Sequence, residues 1–323
     1  SMHSKEINLA EIPVYSQKLS ALKIIKLVEE NFSKNHPQVN QLQRLFYHTH
    51  NNTPFSKANR MKILKSNFTD LDQRVVNEVL ELIPEDIKSY RDVIVNFYSH
   101  DSERKIIPIE GIFLKESTRF SVQNQIEEKL LSLTEDIELS FEDDELYYKM
   151  GTGIFSTKLE PDEPDSEDID STTKNMDDST FYLLRAEYIR NDLNNFLVNT
   201  SDINSDNLEF ISKPKKYNYQ KELTMYNNEW VYKISFDPKD QGIFQGVLYI
   251  AAMNYAILRF DYEFALGKST ENINLLGIGH KVNYKKVQVI YEKVDTTYFV
   301  KYVNAEKRDF FSIDRDFFMK KKE

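Results

Sequence analysis

Glu229-Trp-Val-Tyr-Lys-Ile-Ser-Phe-Asp237 and Ala256-Ile-Leu-Arg-Phe-Asp-Tyr-Glu-Phe264 are the two stretches whose reading decides the fold. In the first, Trp230, Tyr232, Ile234 and Phe236 alternate with Lys233, Ser235 and Asp237. In the second, Ala256, Leu258, Phe260, Tyr262 and Phe264 alternate with Arg259, Asp261 and Glu263. Side chains of a strand point to opposite faces with period two, so each stretch predicts a strand with one aromatic face and one wet face. Gly246-Val-Leu-Tyr-Ile250 lies between them and runs into a turn at Ala251–Asn254. Together they predict an antiparallel sheet with one buried face.

Outward from this core, Val282–Val294 and Thr297–Val303 read as further strands. Asp237-Pro-Lys-Asp-Gln-Gly242 is a turn, and 267–279 a long polar connection. Toward the N-terminus, Leu19, Leu22, Ile25, Val28 and Phe32 recur at spacings of three and four, an amphipathic helix stopped by Asn35-His-Pro37. Gln43–His50 reads as a short strand ending at Asn51-Asn-Thr-Pro54. A helical region is expected from Lys57 to Tyr98, with Asp70 as its cap and Pro84 opening a further helix. Lys105–Lys115 returns to strand character, Ile126–Tyr148 is mixed, and Tyr182–Leu197 reads as helix. Glu160–Asp178 is rich in acids with almost nothing apolar to repay its ordering, and reads as a flexible loop.

The expected organisation is a mainly helical region over 1–104, a mixed region over 105–159, the acidic loop at 160–178, and a helix plus antiparallel meander over 179–323. The expected fold class is α+β: a curved, half-barrel-like antiparallel sheet packed against N-terminal helices.

Composition narrows the function classes. The chain has 323 residues with 40% hydrophobic, enough to bury a substantial core. Its net charge is -10, against nucleic acid as a main partner, since phosphate recognition needs clustered cations. Only 8 glycines disfavour a glycine-dependent nucleotide fold. With no cysteine there is no disulfide, thiolate metal site or cysteine nucleophile. No apolar run reaches the ~18 residues of a membrane helix.

No motif spells out a reaction. Gly-x-Ser-x-Gly is absent, and Gly267-Lys-Ser269 lacks the turn of a phosphate loop. His48 and His50 share one face of a strand, a spacing that suits a transition metal or, more simply, two ordinary hydrogen-bonded rings. The expectation is a protein without cofactor and without enzymatic activity. Trp230, Tyr232, Phe236, Phe260, Tyr262 and Phe264 form the candidate face: plain core, the lining of a lipid-like ligand cavity, or a protein interface. A hydrolase built from scattered acids and histidines is a further alternative.

Several segments carry a resemblance. Ala21-Leu-Lys-Ile-Ile25 leading to Asn31, Asn35-His-Pro37 and Phe46-Tyr47 form one block. Trp230–Phe236, Gly246–Ile250 and Tyr255-Ala-Ile-Leu258 form a second. They resemble bacterial envelope proteins called carboxypeptidase-regulatory-like-domain-containing proteins, in the region that follows their Ig-like module. His36 and His48 depart from that pattern, where an aromatic residue and an arginine are expected. The C-terminal part also resembles the lipoprotein-carrier half-barrel. The resemblance implies export to the periplasm or the outer-membrane surface, with a lipid-like ligand or an envelope protein as partner. It implies no known activity, and nothing in the chain resembles a carboxypeptidase catalytic domain. The rival within this class is a structural or interaction module of a larger outer-membrane-associated assembly.

Overall fold

The computed structural model describes residues 19–37, 41–55, 60–66, 72–83, 85–100, 103–116, 147–152, 155–159, 178–275 and 278–322. The acidic stretch 160–177, most of the mixed stretch (126–146) and the expected cap Asp70 lie outside these residues.

In chain order the first elements are α1 (Ala21–Asn35), β1 (Gln41–Pro54), β2 (Arg60–Ser66), α2 (Gln73–Leu82), β3 (Asp86–His100) and β4 (Glu103–Glu116). Next come β5 (Tyr147–Thr152), β6 (Phe155–Leu159), α3 (Asp178–Ser201) and the single-turn α4 (Glu209–Ser212). The rest is strand: β7 (Tyr217–Tyr226), β8 (Glu229–Pro238), β9 (Phe244–Ala251), β10 (Ile257–Phe264), β11 (Thr270–Leu275), β12 (Ile278–Val294) and β13 (Thr297–Lys322).

These strands form one large mixed sheet in the order β4-β3-β1-β13-β12-β10-β9-β8-β7. It is open: β4 and β7 end the order and do not pair with each other. From β7 to β13 the sheet is the expected antiparallel meander, with β11 added beside β12. The sheet as a whole is not antiparallel, however. β1 runs parallel to β13, with His48 opposite Asn304, and β2 runs parallel to the far end of β13. β13 holds these parts together: 26 residues, ~85 Å when extended. Its first half lies between β12 and β1, and its last residues lie between β2 and β5.

Among the described residues of the 57–98 region, only α2 is helical. That helix is capped by Asp72, whose carboxylate accepts from Arg74 N–H at 2.8 Å and Val75 N–H at 3.1 Å. The helix expected after Pro84 is instead β3, and its alternation is complete in three dimensions: Ser89, Arg91, Val93, Val95, Phe97 and Ser99 all point inward. Three of those six are polar, so the strand's buried face does not read as apolar in sequence. The 1–104 region therefore contributes strands to the main sheet, and its boundary at 104/105 falls inside β4.

One face of the sheet is the core. Tyr232, Ile234, Leu248, Phe260, Tyr262, Val289, Val303, Tyr47 and Val93 lie on it in register. The helices cover it with Ile24, Ile25, Val28 and Phe32 of α1, Ile189, Leu193 and Leu197 of α3, and Phe210 of α4. On α1 the buried stripe takes Ile24 where Leu22 was expected; Leu22 is exposed. No helix among the described residues is long and apolar enough to cross a membrane.

Candidate functional site

The aromatic candidates come together as expected of one strand face. Tyr232, Phe236, Phe260, Tyr262 and Phe264 are all buried, and Trp230 at the end of β8 is half-buried. The space in front of them is filled. Phe210 stacks on Phe236 with ring centroids 4.4 Å apart and meets Tyr262 at 5.2 Å, while Phe244 packs edge-on against Tyr262 at 4.8 Å. Burial raises the Tyr262 and Tyr291 hydroxyls above the ordinary tyrosine range. α4 is held over these rings by its own buried acid: Glu209 accepts from the Tyr217 hydroxyl, from Lys216 Nζ at 3.0 Å and from Ile243 N–H at 3.2 Å.

His48 and His50 share the opposite, outer face of β1, but each ring is engaged separately. His48 Nδ1 meets the Asp92 carboxylate across the β1–β3 ladder. His50 stacks on Tyr90 at 4.3 Å and 11°, and loss of solvent lowers its pKa despite the opposing charge of Glu306. No group of three His, Cys, Asp or Glu side chains among the described residues could hold a metal ion.

A notch at one end of the sheet was not anticipated from sequence. The β9–β10 turn is short, closed by Ala251 N–H on Ala256 O at 2.8 Å and Tyr255 N–H on Ala251 O at 2.9 Å. The neighbouring hairpins overhang it. β8 extends past its last partner in β9 to reach the Asn227-Asn228 turn, and β12 continues through Tyr291–Val294 beyond its last pairing with β10. Between the overhangs lies a cavity of about 460 Å³. Leu258, Ile290, Tyr291 and Tyr298 are its apolar and aromatic lining, beside Asn227 and Asn228. Its rim is charged but neutralised: Lys293 reaches Glu229 at 3.4 Å, and Lys301 pairs with Glu292. The Lys293 ammonium also lies 5.7 Å from the Tyr298 ring centroid.

Tyr291 and Tyr298 also line a second, smaller pocket of about 30 Å³, together with Phe32, His36 and Phe97. The turn read from sequence at Ala251–Asn254 lies at this end of the molecule, whereas Asn227-Asn228 is not among the sequence signals. A turn signal marks a tight hairpin and nothing about what overhangs it.

No family model matches the chain, and no curated protein or solved structure matches it.

Proposed function

We propose that this protein is a non-catalytic, exported bacterial envelope protein whose sheet curls around its helices as a half-barrel and which takes a lipid-like, amphipathic ligand at the notch. The notch carries the reading. Its volume of about 460 Å³ lies within the ~300–1,000 Å³ usual for small-molecule sites. Part of its lining is apolar and aromatic, and its ion-paired rim suits a polar headgroup while that part takes the tail. Export and the periplasmic or outer-membrane location follow the family resemblance. The ligand site differs from the aromatic face considered first, because that face is filled by Phe210 and its neighbours.

Delipidated protein should bind a fluorescent fatty acid or lysophospholipid saturably, and native mass spectra of fresh protein should carry extra lipid mass. Ile290→Asp, which places a charge in the apolar lining, should weaken binding at least tenfold while the melting temperature holds. Bare spectra together with no saturable probe binding would sink the reading. That outcome would put first the second reading, a docking module of a larger envelope assembly.

A further inference from the structure

At the opposite edge of the sheet from β7, β4 is paired on one side only. Arg104 to Pro108 lie against β3, from Ser99 to Val95, and no strand among the described residues occupies the other edge. α3 runs beside it, and between strand and helix lies a groove of about 360 Å³. Arg104 and Lys105 line it from the strand, and Arg190, Asn191 and Asn194 from the helix. Residues 190 and 194 are one helical turn apart and so share a face.

Two features separate this groove from an ordinary solvated edge. The chain carries a net charge of -10, yet Arg104, Lys105 and Arg190 converge here, and none of the three forms an ion pair among the described residues. Of the acids on the same helix, Asp178, Glu187 and Asp192, the last is already held by buried Arg91 at 2.9 Å and by the Tyr47 hydroxyl at 2.8 Å. Second, Asn194 Oδ1 is buried without a hydrogen-bond partner, which is costly for an amide oxygen unless a donor arrives. An unprotonated anion such as chloride or sulfate would satisfy the cations but has no hydrogen to give that oxygen. A polypeptide supplies carboxylates and N–H groups together, and the free edge of β4 presents backbone groups to pair with it.

We infer that the β4–α3 groove binds an extended acidic peptide segment of a partner protein, added as a strand to β4. Pairing stops at Pro108, which has no N–H to offer. The segment is therefore short; acids on its helix-side face meet Arg104 and Arg190, and an acid on its other face meets Lys105.

Fluorescence polarisation with a labelled Glu-Glu-Val repeat peptide, which carries acids on both strand faces, tests this on the intact protein. Saturable binding that weakens with added salt is expected, with no binding of the matching Lys-Lys-Val peptide. Arg190→Glu and, on the other wall, Lys105→Glu should each reduce affinity at least tenfold, with unchanged melting temperatures. Alternate backbone N-methylation of the peptide should abolish binding, because it removes the strand-pairing donors while keeping every charge. Absence of binding at low salt would overturn the proposal. So would equal binding of the N-methylated peptide, or indifference to both charge reversals. The lipid probe plays no part here, so this result stands apart from the notch assay.

Discussion

At the end of α1, Asn35 and His36 latch the helix to a strand turn distant in sequence. Asn35 Nδ2 donates to Asn254 O at 2.9 Å, and Ile257 N–H donates to His36 Nε2 at 3.2 Å. The His36 ring is buried between Phe32 at 4.9 Å and Tyr291 at 4.6 Å. Burial pushes its pKa from 6.5 down to about 3, against the raising effect of a hydrogen bond with the Tyr298 backbone. Above pH 6.5 the ring is neutral in both folded and unfolded chains, and its contribution is intact. Between pH 6.5 and about 3 the unfolded chain takes up a proton that the folded chain refuses, so stability falls as pH falls. The slope from this one group is about 1.4 kcal/mol per pH unit. Denaturant melts at pH 6.5 and pH 5 should show a steeper loss for wild type than for His36→Gln, which keeps an acceptor but does not titrate. Equal slopes would mean that the ring is not buried neutral. The motif was visible in sequence as a helix stop; its partners were not.

Phe260 is fully buried among Phe210, Tyr262 and Tyr291. Phe260→Ala should cost about 3–5 kcal/mol, because a filled site is emptied. A loss below about 1 kcal/mol by chemical denaturation would instead indicate open space at that position.

Among the elements, the β7–β8 hairpin has the clearest local cause. Asn227 and Asn228 hold φ of 48° and 63°, the left-handed pair that a two-residue turn needs to match strand twist. Asparagine tolerates that region and β-branched residues do not. Asn228→Val should therefore destabilise by about 1–2 kcal/mol, whereas Asn228→Gly should leave the melting temperature level or higher. The reverse order in thermal melts would show that the turn relaxes to another type. α1 shows how close a periodic reading comes: Ile25, Val28 and Phe32 are buried as their spacing requires. The choice between Leu22 and Ile24 depended on where the helix rests on the sheet, and spacing alone does not supply that. β3 failed for a different reason. Arg91 occupies a core-facing position because α3 brings Asp192 to it, so the residue that hides the alternation is explained only by its partner.

For the whole molecule, topology sets where stability is greatest. β13 and β12 are interior strands, and β4 and β7 are edges. Hydrogen exchange followed by mass spectrometry should find the slowest amides in Val287–Ile290 and Tyr302–Ala305, and much faster exchange in Tyr217–Tyr226. Fast exchange throughout β13 would contradict its place between β12 and β1.

The sequence by itself determined the antiparallel meander of the second half, most of the α1 stripe and which aromatic side chains share one strand face. Each of these is written in a local period of two or of three to four, and neighbouring strands joined by short turns pair without outside instruction. Tertiary structure alone decided that β1 lies parallel to β13 and that β3 is a strand. It also decided that the open sites are a notch beneath two hairpins and a groove beside an edge strand. Phe46 faces Tyr302 across more than two hundred residues of chain. Such a pairing follows from which faces remain to be buried once the local elements exist, and local periodicity carries no record of it.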